Sequence, residues 1–365
     1  MKYAYQWGVV IVILFTLSCK KQQEEIKSKS EIELFNTSKI LDINSIVDSV
    51  EYILLEANLD DAIFRDAHKI RFIEDKIYVL DIIGKMLLVF NEDGTFSKKI
   101  GQMGNGPGEY VMPSDFDVDL YGNIFIYNGP VEQLLKYDNN NNFIESIKLP
   151  FEIDNFSITS NNKFLFSLAK YNSGKSKDYK IVITDSLLNI EKEYLKYEEY
   201  YDPNFILETF IQNENNEIVY YKPIDDYVYL FTEDELIEKF HLNFKEKTVP
   251  LDLRKDIHAL KNKYADNYSF VLTTPIVLKD YLLGMMVDSN KLKFFIYSRI
   301  NKGLYIDSNP YIFPAAYLND STFLSVVNNV IYPLYEENES FSSEQRKHLD
   351  DGGTIICKYI MKSNQ

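Results

Sequence analysis

The sequence predicts an all-β fold, a six-bladed β-propeller of four-stranded antiparallel blades closed by an N-terminal strand. Three observations predict it. From about residue 65 onward, short runs rich in Ile, Val, Phe, Tyr and Leu alternate with Asn, Asp and Gly turns, as strands do and helices do not. Two long stretches overlay element for element at a spacing of roughly 40 to 50 residues, the period of propeller blades. Finally VEYILLE, residues 50 to 56, is a strand-like run with no partner ahead of the first unit.

The N-terminus stands apart. Lys2 precedes an apolar run from Trp7 to Leu17 and then Ser18-Cys19, the layout of a secretory signal over 1–18. The run is short for a membrane span. A small residue before a cysteine at the end of such a run resembles a bacterial lipobox, which implies that Cys19 is lipidated; Thr16 and Leu17 depart from its usual residues. Residues 19–47 then form a polar tether, since KKQQEEIKSKSEIE carries too little apolar content to pack. The propeller is expected over 48–365.

The first two units share an order. HKIRFIEDKIYVLDIIGKMLLVFNEDGTFSKKI and SDFDVDLYGNIFIYNGPVEQLLKYDNNNNFIESIKL each read strand, tight turn, strand, short loop, strand, polar turn, strand. Four further units follow, from NFSITSNNKFLFSLAK to the pair AAYLNDSTFLSVV and TIICKYIMK. A stretch near 251–267, LDLRKDIHALKNKYADN, has helical spacing and is taken as an insertion. VEYILLE is assigned to complete the last blade, which leaves only short, protected edges.

GQMGNGPGEYVMPSDFDVDLYGNIFIYN, together with VEYILLE, DKIYVLD and the NEDG turn, resembles the six-bladed β-propeller lipoproteins of Bacteroidetes. These are similar to NHL-repeat propellers, whose linker places are filled here by Gly104, Gly106, Pro107, Gly108, Tyr110, Pro113, Gly122 and Asn123. The resemblance covers roughly residues 48 to 150 and implies the fold and an envelope location. It implies no molecular activity.

Composition narrows the chemistry. A net charge of −16 over 365 residues opposes nucleic acid and anionic lipid as ligands. Cys357 has no cysteine partner in the exported chain, so stability must come from core burial. The glycine run Gly101, Gly104, Gly106, Pro107 and Gly108 lacks the spacing and the following helix of a phosphate loop, and is read as a blade-to-blade linker. Asp115, Asp117 and Asp119 alternate along one strand face; they suit calcium, or they bond to nearby backbone amides. No other cofactor is expected. His68, His241, His258 and His348 show no metal-ligand spacing, and His68 is read as a structural imidazole. The aromatic residues fall within strand runs and are read chiefly as packing.

With four antiparallel strands per blade, the blade-to-blade linkers and the second-to-third-strand loops emerge on one face. That face is expected to gather Asn105, Glu109, Asp81, Lys85, Asn128, Glu132, Asp225, Asp226 and Arg299. The function expected is a non-catalytic, lipid-anchored binding module on the outer membrane, holding a protein, peptide or glycan at those loops. The alternative is a metal-assisted hydrolase or lyase acting on sugars or lactones.

Overall fold

The structure, a computed structural model, describes residues 28–35, 39–197, 210–213, 216–254, 260, 262–264, 266–336 and 341–362. Six sheets stand around an axis as the blades of a propeller, each with its first strand innermost. Blade 1 runs Lys69–Ile73, Lys76–Asp81, Met86–Asn91 and Phe96–Ile100, and blade 2 Pro113–Val118, Ile124–Asn128, Gln133–Tyr137 and Phe143–Lys148. Blade 3 begins with Ile153–Ile158, blade 4 with Phe210–Gln212, and blade 5 with Ser269–Val271 and Ile276–Val277. Blade 6 takes three strands from the C-terminal region and its fourth, Val47–Leu55, from the N-terminal region.

Alternation within the strands explains why the blades stack. A blade's two faces both carry apolar side chains, and each face is covered by the neighbouring blade. Tyr78, Leu87, Phe116 and Ile126 meet between blades 1 and 2. Phe125, Phe156 and Phe166 meet between blades 2 and 3. The closing strand serves two such interfaces: Val47 packs with Phe294 and Tyr359 between blades 5 and 6, while Ile53 and Leu55 pack with Ile77 and Val79 between blades 6 and 1.

The turns follow from the Asp/Asn chemistry in the sequence. In Asp119–Asn123, Asp138–Asn142 and Asp185–Asn189 the aspartate accepts the amides two and four residues on, and the asparagine side chain closes the loop at 2.8 Å. The fourth residue of each is left-handed, Gly122 at φ 77°, Asn141 at 68° and Leu188 at 63°, as this hairpin loop requires.

Three expectations are corrected. The segment expected as a tether contributes strands: Ser28–Glu33 lies parallel to Glu235–Asn243 on blade 4, and Lys39–Ile40 parallel to Leu304–Asp307 on blade 5. An added edge strand is held by its backbone, so two buried anchors, Ile32 and Leu34, suffice. Secondly, helix appears where none was expected, in the blade 6 connection, as Tyr332–Glu336 and Ser343–Asp350; Ser342 and Gln345 form a reciprocal cap. Of 251–267, Leu251–Leu253 form a 3-10 turn and Leu260, Asn262 and Lys263 are helical; much of the rest, like Cys19 and the signal segment, lies outside the described residues. Thirdly, Arg299 sits on the third-to-fourth-strand turn of blade 5, on the face opposite the linkers.

Leu55 is 1% exposed at the seam between first and last blades. Leu55→Ala is expected to cost about 2–5 kcal/mol, read as a lower urea midpoint with an unchanged slope.

Candidate functional site

Each inner strand pairs on one side only, so its other edge turns polar backbone groups toward the propeller axis. Between blades 1, 2 and 3 those groups are met by a ladder of charges. Asp115 of blade 2 accepts the Phe156 amide of blade 3 at 2.8 Å and the Lys69 ammonium of blade 1 at 2.8 Å. Two residues on, Asp117 accepts the Ile158 amide at 2.7 Å, the Ser157 hydroxyl at 3.0 Å and the Arg71 guanidinium. Lys69 and Asp115 are buried, and burial outweighs the ammonium and the hydrogen bonds to push the Asp115 carboxyl up.

Arg71 also reaches across the ring, donating a second N–H to the Gln212 side chain of blade 4 at 2.8 Å. Gln212 in turn donates to the Ile158 carbonyl at 3.4 Å. The circuit Arg71–Asp117–Ile158–Gln212 therefore crosses the axis, with the Ser157 hydroxyl joined to it at Asp117. On the side of the first-to-second-strand turns it borders a well of about 410 Å³. Arg71, Ser157 and Gln212 line it with Thr159, Ser160, Asn213 and Asn216; Phe72, Ile211, Ala315 and Leu318 supply apolar wall. The volume lies in the range of small-molecule sites, about 300–1,000 Å³, and the mixture of apolar wall and a few convergent polar groups is theirs too. Arg71 is 17% exposed, and of its five N–H groups two have a partner among the described residues, one on Asp117 and one on Gln212.

The calcium reading of Asp115, Asp117 and Asp119 does not survive this geometry. The first two already hold Lys69 and Arg71, and Asp119 caps its own turn through Tyr121 and Asn123. Among the described residues no group of three His, Cys, Asp or Glu could hold a metal ion.

The linker-face residues are placed as follows. Asp81 is fully buried and accepts the Arg65 and Gly84 amides at 2.6 and 2.8 Å. Asn128 holds the incoming chain at Val111 and Met112. Asp225 pairs with Lys180 at 3.0 Å, and Asp226 takes two bonds from Arg254 at 2.7 and 2.8 Å. Glu132 pairs with Lys148 at 2.9 Å, Lys85 is exposed at φ 56°, and Asn105 is exposed. Glu109 accepts the Gly106 amide and the Gln102 side chain, and so folds the linker on itself. The glycines there have steric reasons: a Cβ on Gly104 would lie 2.0 Å from the Glu109 carboxylate, and one on Gly108, at φ 73°, would lie 2.8 Å from Phe143. His68 accepts the Ile82 amide at 3.3 Å. Eight of the nine loop residues thus share the linker face, Arg299 lies opposite, and Asp81, Glu109, Asn128, Glu132, Asp225 and Asp226 are engaged within the protein.

The well's own residues, Arg71, Ser157 and Gln212, are absent from that expectation. A signal for Arg71 exists in the repeat overlay: Lys69 and Arg71 stand 46 residues before Asp115 and Asp117, at matching places on adjacent inner strands.

A model of the domain of unknown function DUF4934 matches residues 29–350. The chain belongs to this family. DUF4934 therefore takes in both added edge strands and most of the ring. Among solved structures, it is similar to a Bacteroides fragilis protein described as exported, with a TM-score of 0.76 at 18% identity over 92% of this chain and 100% of the other. A Bacteroides vulgatus member of the DUF4221 family follows at 0.56 and 8%, covering 88% and 98%. These likenesses show the fold. No curated protein matches the sequence.

Removing one partner of the buried ladder leaves the other uncompensated. Lys69→Met is expected to cost about 3–5 kcal/mol in urea denaturation, and Lys69→Met with Asp115→Leu less than the sum of the two single changes.

Proposed function

We propose that this DUF4934 chain is an exported binding module, non-catalytic and lipid-anchored through Cys19 on the outer membrane, that takes a neutral polar ligand into the axial well. The signal-like N-terminus and the likeness to a protein described as exported support export. The observation that carries the binding role is the well above the Arg71–Asp117–Ile158–Gln212 circuit. Its central guanidinium is matched by a carboxylate, so an anion gains little there, while free N–H donors, side-chain amides and hydroxyls suit an uncharged partner rich in hydroxyl groups. Phe72 and the apolar wall offer C–H contact beside them. A glycan end has this chemistry.

This places the ligand on the turn face and not among the linker-face loops. Ser160 lines the well from the blade 3 turn. In calorimetric titrations with neutral oligosaccharides selected on a glycan array, Ser160→Trp is expected to weaken binding at least about tenfold, roughly 1.4 kcal/mol. Lys85→Ala with Glu132→Ala should leave it unchanged. Binding lost with the linker-face pair and kept in Ser160→Trp would return the site to the loops.

A further inference from the structure

The turn-face rim of blades 4 and 5 brings exposed cations and outward apolar side chains together. The blade 5 turn Arg299 to Gly303 projects between clefts of about 540 and 350 Å³. Lys279 and Lys302 are exposed and have no ion pair among the described residues, and Arg299 gives its guanidinium to the Leu278 and Lys279 carbonyls. Lys39, on the strand added to blade 5, lines the neighbouring cleft. The carboxylates around these cations are mostly engaged within the protein: Glu31 by the Asn243 side chain, Glu238 by the Ser30 hydroxyl, Asp42 by the Asn44 amide and Asp320 by the Tyr317 hydroxyl, with Asp280 beside Lys279. Between the cations lie two outward isoleucines, Ile40 at 91% and Ile300 at 58% exposure.

The path of the chain bears on what meets this rim. Ser28–Glu33 runs parallel to Glu235–Asn243, from the turn face toward the linker face, so the described chain begins at the rim, and Ser30 and Ile32 share a cleft with Arg299. Residues 20–27 separate that point from Cys19 and span at most about 30 Å when extended. We propose that this rim docks on a bilayer surface carrying anionic headgroups, with Ile40 and Ile300 entering the interface and Lys39, Lys279, Arg299 and Lys302 meeting lipid phosphates. The proposal rests on the anchored reading above for its geometry. Net charge of −16 does not forbid the contact, because potentials beyond about 8 Å are screened at physiological salt and the local set decides. Cations beside exposed apolar side chains are the pairing that interfacial binding uses.

The test reconstitutes the full chain into phosphatidylethanolamine vesicles with or without phosphatidylglycerol and labels amines with a membrane-impermeant reagent, read by mass spectrometry. In the anionic vesicles Lys279 and Lys302 are expected to label about fivefold more slowly than in detergent, the factor set by one lysine's contact with such a surface. Lys85 and Lys177, on the linker-face loops, serve as unchanged controls. Ile40→Ser with Ile300→Ser, which touches no core, should restore rapid labelling at Lys279. Equal labelling in anionic vesicles and detergent overturns the docking surface. The intact mass of the N-terminal peptide reports separately whether Cys19 carries acyl chains, so failure of the anchor and failure of the rim are told apart.

Discussion

The ring depends on one sheet pairing, Val47–Leu55 against Thr354–Met361. Those two strands meet antiparallel from Leu55↔Thr354 to Val47↔Met361 and join the two regions of the chain. Their importance lies less in the hydrogen bonds than in what the strand covers. Val47 seals the interface of blades 5 and 6, and Ile53 and Leu55 that of blades 6 and 1. No blade can hide both apolar faces alone, so loss of this strand would expose two interfaces together. With no disulfide available to Cys357 among the described residues, the seam is held by pairing and packing alone.

Closure also creates the candidate site. Bringing inner strands around an axis leaves their free edges facing one another, and buried backbone amides need acceptors. Blade 2 supplies carboxylates to blade 3, and blade 1 supplies cations to neutralise them. Lys69–Asp115 is closed to solvent, whereas Arg71 at the next level keeps some exposure and spans the channel to blade 4. One ladder thus has two levels: its inner rung holds blades together and its outer rung faces a ligand-sized space.

Much of the fold was legible because strand length, turn chemistry and repeat spacing are local properties. VEYILLE was recognisable through its lack of a neighbour. Added strands escaped notice because a parallel edge strand demands little of its side chains, as Ile32 and Leu34 illustrate. Blade 5 misled for a different reason. Its inner strand breaks between Val271 and Ile276, where Pro275 lacks a donor, and two short pieces in place of one strand obscure which face the Arg299 turn lies on. The well was hidden because it joins strands of blades 1, 2, 3, 4 and 6, and only the first two were clear enough repeats to compare residue by residue. The capped helix after Ser342 carried a readable signal in its SSEQ start, a short one inside a long connection.

Among the described residues, the three strands ahead of blade 1 add in succession to blades 4, 5 and 6. Their partners, Glu235–Asn243, Leu304–Asp307 and Thr354–Met361, are all synthesised later. Blades 1 to 3 draw on contiguous sequence and can form as soon as they emerge, while each leading strand must wait for its later partner, Val47–Leu55 longest, for Thr354–Met361. For a chain that crosses a membrane amino end first, the circle is therefore completed on the far side, after passage, with the piece that travelled first.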